Sequence, residues 1–132
     1  MTTVSSLPPT VSGQTDVTPV LGTWRNCNSR TSGISRIEPT QCDGQLRVHV
    51  WGTDPATGTS HDWGEATVET VYTDGPGSGR VNAYAATFDL GHARSLVQVN
   101  ISYGVTVVVA FTTFTDGSGR QNYMSREFFI RE

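Results

Sequence analysis

The stretch Val20-Leu21-Gly22-Thr23-Trp24-Arg25-Asn26 decides the fold of this 132-residue chain. It follows a segment rich in Thr, Ser and Pro, and it opens a series of runs in which apolar and polar residues alternate. Gly22 and Trp24 share one face of the predicted strand, where the indole can plug one end of a closed sheet. The run at 126–131 ends the chain and carries arginines, and a guanidinium stacked on that indole contributes ~1 kcal/mol. The first and last strands are therefore predicted to meet.

Alternation elsewhere in the chain predicts seven more strands, separated by clusters of Gly, Pro, Asn, Asp and Ser. The eight predicted strands cover 20–26, 34–40, 45–53, a run that follows 61–65 and ends at about 72, 81–90, 93–103, 105–115 and 121–131. No segment has a helical period. This pattern predicts an all-β domain over 19–132, a single eight-stranded up-and-down antiparallel β-barrel, with a β-sandwich as the alternative. Residues 1–18 lack periodicity and are expected to form a flexible tail.

Charge and composition exclude several classes of partner. The formal net charge is -3 and the arginines are not clustered, so neither nucleic acid nor an anionic membrane is expected as a partner. No apolar run reaches the ~18 residues of a membrane span, and the N-terminus lacks the features of a signal peptide. We expect a bacterial, cytoplasmic protein, or one whose signal has been removed. Cys27 and Cys42 are expected roughly 20 Å apart or more, and hence as free thiols.

Loops from alternate strands are predicted to gather at one mouth of the barrel, bringing His61, Asp62, Glu65 and His92 there, with Trp51, Trp63 and Tyr123 in reach. The stretch 61–65 is typical either of an acid/base pair at a pocket rim or of a solvated, capped loop. The three histidines lie on different elements without the short spacing of metal ligands, so neither a metal nor a cofactor is predicted. No nucleophile motif is present, and catalytic residues stay unassigned.

The chain resembles the streptavidin and avidin barrels at both ends. The opening Gly22-Thr23-Trp24-Arg25-Asn26, followed by a turn with Ser, is similar to their first strand, and its Gly-x-Trp start with a late Arg is shared with lipocalins. The run at 126–131 is similar to the avidin closing strand, with a carboxylate and an aromatic before a final cation. The resemblance implies that Asn26 hydrogen-bonds a ligand head group and that Glu127 has a related role. Where that family places tryptophans, the later strands carry Tyr84, Phe111, Phe114 and Tyr123, so biotin itself is not the expected ligand.

Small residues on the fifth predicted strand, Ala83, Ala85 and Ala86, are expected to leave an interior void, and such voids tend to be pockets. The function predicted first is binding of a small, largely apolar or aromatic molecule in the barrel interior. The alternatives are a barrel enzyme, a cyclase or isomerase acting on a specialised metabolite, and an interaction module with a solid core. The candidate ligand-binding residues are Asn26, Trp51, Trp63, Glu65, Tyr84, Phe111, Tyr123 and Glu127.

The last two predicted strands are apolar on both faces. Val107, Val109 and Phe111 share one face of the seventh strand while Val108 and Ala110 occupy the other, and the eighth has Phe129 opposite Met124, Phe128 and Ile130. Whichever face is inward, an apolar patch faces outward. A homodimer or higher oligomer built on these strands is therefore expected, unless the N-terminal tail covers the patch.

Overall fold

The computed structural model describes residues 15–53 and 57–132, and within them the chain is all-β. A short 3₁₀ turn, Thr18–Val20, precedes nine strands. These are β1 (Trp24–Asn26), β2 (Ile34–Cys42), β3 (Gln45–Thr53), β4 (Ser60–Thr67), β5 (Thr70–Thr73), β6 (Val81–Asp89), β7 (Ala93–Ser102), β8 (Val105–Phe114) and β9 (Tyr123–Arg131). In this part of the chain no helical segment has the length and apolar character needed to cross a membrane.

One antiparallel sheet contains all nine strands in the order β4-β3-β2-β1-β9-β8-β7-β6-β5. The ladder does not run from β4 to β5, so the hydrogen-bonded sheet is not closed. Eight strands were expected, and the difference lies in the fourth, which is divided into β4 and β5. At the division Val68 N donates to the Leu46 carbonyl of β3, whereas Glu69 N donates to the Ala85 carbonyl of β6. The chain thus changes its partner strand within two successive residues.

The first and last strands pair, as predicted, and Trp24 lies at the end where β1 begins and β9 ends. Trp24 is 2% exposed and lies opposite Arg131 in the ladder. The Arg131 Cζ atom lies 4.1 Å from the centroid of the Trp24 ring. The guanidinium also donates to the backbone carbonyls of Leu21 and, at 3.2 Å, Pro19. The predicted stacking of a closing-strand arginine on Trp24 is confirmed.

The predicted first strand begins too early, because the backbone carbonyls before Trp24 accept hydrogen bonds from the side chains of Trp24 and Arg131 instead of strand hydrogen bonds. Thr18–Val20 forms the 3₁₀ turn, and its Val20 carbonyl accepts the Trp24 Nε1 proton at 3.1 Å. Gly22 has a φ of +118°, which is favourable only for glycine, and a Cβ there would lie 2.5 Å from Arg131 Nη1. The strand ladder therefore starts at Trp24 and not at Val20.

Two hairpins have left-handed turn residues. Asp43 and Gly44 have φ values of 54° and 77°, and Tyr103 and Gly104 have 52° and 79°. Two consecutive residues with positive φ form the primed turns that fit the twist of antiparallel strands. The hairpin predicted at 42–44 is confirmed, and the loop 74–79 leads into a strand, as expected of a hairpin connection and not of a phosphate loop.

The interior is filled by side chains, the largest of the wholly buried ones being Trp24, Tyr84, Phe129 and Ile37. On β6 the burial alternates so that Tyr84 and Ala86 face the core, whereas Ala83 and Ala85 lie on the opposite face. The expectation of a void beneath three alanines is therefore wrong for Ala83 and Ala85. Strand parity allows only Ala86 of the three to widen the interior.

The N-terminal segment and the cysteines complete the fold. Most of the expected tail, 1–14, lies outside the described residues. Its end packs on the sheet, since Asp16 N donates to the Gly79 carbonyl at 2.6 Å and Val17 is buried in the core. Cys27 and Cys42 are both free and exposed, which confirms the prediction of two free thiols.

Candidate functional site

A cavity of about 330 Å³ opens at the end of the sheet opposite to Trp24. Because successive strands are antiparallel, the ends of β3, β6 and β8 and the starts of β4, β7 and β9 meet at this edge. We call it the mouth cavity, and it is lined by Ser32, Gly33, Thr53, His61, Trp63, Leu90, His92, Ala93, Thr112, Phe114, Arg120 and Tyr123. The volume is within the range of small-molecule sites, which starts at about 300 Å³.

Aromatic side chains form much of the wall of the mouth cavity. The Trp63 indole packs edge-on against buried Phe88, with 6.0 Å between the ring centroids. A Cβ atom on Gly52 would lie 2.5 Å from Trp63 Nε1, so the glycine permits the indole to lie close to β3. On the other side the ring centroid of Phe114 lies 6.1 Å from that of Tyr123 and 6.3 Å from that of His92. These contacts give the cavity an ordered apolar wall.

The loop before β9 places Arg120 at the rim of the mouth cavity. Ser118 Oγ accepts from Arg120 Nε at 3.0 Å, and Asp116 Oδ2 accepts from its Nη2 at 2.8 Å. The guanidinium carbon lies 4.3 Å from the centroid of the Phe114 ring. Hydrogen bonds from the Ser118 hydroxyl and backbone, together with the Arg120 guanidinium, lower the pKa of Asp116 to about 2. Asp116 is therefore ionised at neutral pH and orients Arg120.

A polar cluster beside the mouth cavity joins the first and last strands. Asn26 is 4% exposed, and its Nδ2 donates to the Ile34 carbonyl and to Glu127 Oε1, each at 2.9 Å. Thr31 Oγ1 donates to the same Glu127 oxygen at 2.7 Å, and Asn28 Nδ2 donates to Oε2 at 3.2 Å. Glu127 also lines a neighbouring cavity of about 550 Å³, which shares Phe114 and Tyr123 with the mouth cavity. The carboxylate thus receives three neutral donors and remains open to a further one.

The predicted site residues divide between the two faces of the sheet. Trp63 and Tyr123 line the mouth cavity, and Glu127 lines the cavity beside it. Asn26 lines neither of these cavities, but its amide donates a hydrogen bond to Glu127. Tyr84 lies deeper, at 2% exposure in the core.

Three predicted ligand-binding residues lie on the outer face of the sheet and do not line the mouth cavity, contrary to the prediction. They are Trp51, Glu65 and Phe111. Trp51 stacks on His49 with 3.9 Å between ring centroids and is covered by Arg36 on its other side. Glu65 pairs with Arg47 at 3.0 Å. Phe111 is 45% exposed and lies between buried Ala110 and Thr112. On each strand the neighbouring positions fill the interior, so parity directs these three outward.

The carboxylates of the polar stretch 61–65 make contacts on the outer face of the sheet. Asp62 Oδ1 accepts from Gly64 N at 2.7 Å and lies 2.6 Å from His49 Nε2. The hydrogen bond from Gly64, followed by that from His49, lowers the pKa of Asp62. Asp62 and Glu65 are thus engaged outside, and only His61 and Trp63 of this stretch reach the cavity. The described residues contain no group of three or more His, Cys, Asp or Glu placed to hold a metal ion.

Sequence reasoning left His61, His92, Phe114 and Arg120 out of the ligand-binding set. His61 and His92 were expected near the mouth, and the cavity includes both. The signal for Phe114 was its parity with buried Thr112 on β8. Arg120 had a weaker signal, the repeated Thr-Asp-Gly…Ser-Gly-Arg motif at 73–80 and 115–120. In both copies the Ser hydroxyl accepts from the backbone N–H of the Arg, Arg80 at 3.0 Å and Arg120 at 3.3 Å.

Comparison of the chain with protein-family models, with curated proteins and with solved structures finds no match.

Proposed function

We propose that this protein is a β-barrel that binds a small, largely apolar or aromatic molecule in the mouth cavity, at the open end of its interior. The observation that carries the proposal is the convergence of Trp63, Phe114 and Tyr123 on one cavity of about 330 Å³. Apolar and aromatic walls with few polar groups are typical of small-molecule sites.

The barrel in this proposal rests on the junction between β4 and β5. Consecutive residues there bond to opposite edges of the sheet, Val68 to Leu46 of β3 and Glu69 to Ala85 of β6. A segment that forms hydrogen bonds with both β3 and β6 brings these two strands close together, so that the sheet curves around one core. A sandwich of two separate sheets does not require such a segment.

The proposed resemblance to avidin barrels draws support from the Asn26–Glu127 cluster. The two residues lie on strands that pair, β1 and β9, and their side chains are joined at 2.9 Å. Both protons of the Asn26 amide are already donated, to Ile34 and Glu127. In our proposal Glu127 accepts a hydrogen bond from the ligand, and Asn26 positions Glu127.

A barrel enzyme, a cyclase or isomerase, remains the second candidate. One observation favours it: two histidines, His61 and His92, line the same cavity as the aromatic wall. Histidine is the residue most often used for proton transfer in catalysis. The test is whether the protein converts a bound metabolite into a product. If His61→Gln or His92→Gln abolishes that conversion and the metabolite still binds, the protein is an enzyme and the binding function is replaced.

Fluorescence titration with N-phenylnaphthylamine, a neutral aromatic probe, tests the binding function. Saturable binding is expected, and Phe114→Ala is expected to weaken it about tenfold, the equivalent of about 1.4 kcal/mol. Phe111→Ala is the matched control, since it removes the same side chain from the outer face of the same strand. Absence of saturable binding, or equal losses in the two variants, would overturn the proposal.

A further inference from the structure

The polar groups on the wall of the mouth cavity have one chemical character. They include three nitrogen-rich side chains, His61, His92 and Arg120. Among the described residues that line this cavity, none has a carboxylate. Of the acids nearby, Asp62 is directed toward His49 on the outer face and Asp116 onto the guanidinium of Arg120. Glu127 lies on the wall of the adjoining cavity, where Asn26, Asn28 and Thr31 donate to it. The rim is therefore rich in hydrogen-bond donors.

Arg120 is held in a geometry that leaves part of its guanidinium free. Nε is bonded to Ser118, and Nη2 to Asp116. Within the described part of the chain no hydrogen bond engages Nη1, and Nη2 carries a second proton. The Nη1–Nη2 edge can donate two parallel hydrogen bonds to the oxygens of a carboxylate. Stacking on Phe114 fixes the plane of the group.

The histidines are fixed through their backbone. His61 lies in β4, opposite Gly52 of β3. His92 lies in the turn before β7, where its carbonyl accepts from Thr115 N at 3.0 Å. In either protonation state an imidazole can donate at least one hydrogen bond. Donors from β4, from the β6–β7 turn and from the loop before β9 thus surround one apolar cavity.

We propose that the ligand of the mouth cavity is an amphiphilic anion. Its apolar or aromatic body contacts Trp63, Phe114 and Tyr123, and its carboxylate or a comparable oxyanion is bound by Arg120, with His61 and His92 as further donors. This inference rests on the proposed binding function and specifies the class of ligand. Burying the aromatic body supplies affinity, and the charged hydrogen bonds at the rim set its orientation.

Two fluorescent probes separate this inference from the binding function. Anilinonaphthalene sulfonate and N-phenylnaphthylamine share an aromatic body, and only the first carries an anion. The sulfonate probe is expected to bind about tenfold more tightly, and Arg120→Gln is expected to remove most of that advantage while changing the neutral probe by less than about twofold. Arg80→Gln is the matched control, because Arg80 ends the same loop motif at the other end of the sheet.

The outcomes distinguish the two proposals. If the neutral probe binds at Phe114 but the sulfonate probe binds no more tightly, or is insensitive to Arg120→Gln, the anionic ligand is refuted and the binding function stands. If neither probe responds to Phe114→Ala, the binding function itself fails. A sulfonate signal that is lost in Phe128→Ala and kept in Phe114→Ala would locate that probe on the outer face, and it would refute the inference.

Discussion

Asn26 and Glu127, 101 positions apart in the chain, are joined by a hydrogen bond of 2.9 Å between the first and the last strand. The bond lies where β1 and β9 pair, and Thr31 adds a second donor to the same oxygen. Glu127 therefore links the paired strands β1 and β9 to the turn that borders the mouth cavity.

The first prediction concerns Glu127→Ala. It leaves one proton of the buried Asn26 amide and the Thr31 hydroxyl without this acceptor, so we expect the free energy of unfolding to fall by about 2–3 kcal/mol. Glu65→Ala is the matched control, because its exposed ion pair with Arg47 is expected to contribute less than about 1 kcal/mol. Urea unfolding monitored by tryptophan fluorescence measures both. Equal losses would show that the cluster has no special role.

A second prediction concerns Trp24, at the start of β1. Trp24→Ala removes a buried aromatic side chain together with its stacking on Arg131, and we expect a loss of about 3–5 kcal/mol. Trp51→Ala is expected to lose much less, since that indole lies on the outer face under Arg36. Thermal unfolding checks the order. A Trp24→Ala protein that melts within a degree or two of the parent would refute the role of the indole as a plug.

Much of the fold could be predicted from alternation alone. The bounds of β3 match the predicted strand at 45–53, and the meeting of Trp24 with Arg131 followed from the apolar start and basic end of the chain. The division of the fourth strand at 68–69 could not be predicted. It depends on tertiary hydrogen bonds, because the backbone N–H of Val68 donates to β3 and that of Glu69 donates to β6.

The candidate site was less predictable, although part of the error could have been avoided. Because the side chains of Val48 and Val50 face the core, the side chain of Trp51 must face outward. The alternation of apolar and polar residues in the sequence already indicated this. Aromatic character was given more weight than parity. The position of Arg120 is different in kind, since a loop side chain takes its direction from tertiary contacts with Asp116 and Phe114.

A third prediction concerns the Tyr84 hydroxyl, which is buried and has no hydrogen-bond partner among the residues described. A buried hydroxyl without a partner opposes folding, so we expect Tyr84→Phe to raise the free energy of unfolding by up to about 1 kcal/mol. Tyr72→Phe, on the neighbouring strand and exposed, is expected to change it by less than about 0.5 kcal/mol. A loss of stability in Tyr84→Phe would contradict the prediction.

The same residue gives a fourth prediction, on alkaline pH. Burial raises the pKa of Tyr84 above the ordinary value of 10.0 that it has in the unfolded chain. Below that pH the phenol is protonated in both the folded and the unfolded chain, and its ionisation does not affect stability. As the pH rises above it, ionisation in the unfolded chain lowers the free energy of unfolding. Between pH 10 and pH 11 the parent should lose about 1 kcal/mol more than Tyr84→Phe. Equal losses in urea unfolding at these two pH values would show that Tyr84 ionises normally in the folded state.

The fifth prediction is a homodimer or higher oligomer through the outer face of β8 and β9. Phe111 pairs with Met124 and Val107 with Phe128, and Ile130 lies on the same face of β9 as Phe128. Arg126, opposite Val109, lies between these two pairs, and its Cζ atom is 5.2 Å from the centroid of the Phe128 ring. Met124 is 55% and Phe128 48% exposed. Apolar side chains this exposed on adjacent strands form a patch that monomers rarely leave open.

A second copy of the chain is the expected partner, since two such patches cover each other about a two-fold axis. The alternative was cover by the N-terminal segment. Val17, near the end of that segment, is instead buried in the core with Val20, and residues 1–14 lie outside the described residues.

Light scattering at micromolar concentration measures the assembly. We expect at least about twice the 14.3 kDa of one chain, because burial of the apolar rows stabilises the pair. Phe128→Glu replaces one of the exposed apolar side chains of the patch by a charged one and should reduce the mass to that of one chain. Tyr103→Glu places the same charge on a fully exposed turn and should leave the mass unchanged. A parent mass near 14.3 kDa would refute the oligomer, and loss of assembly in both variants would show that the interface is not specific to β8 and β9.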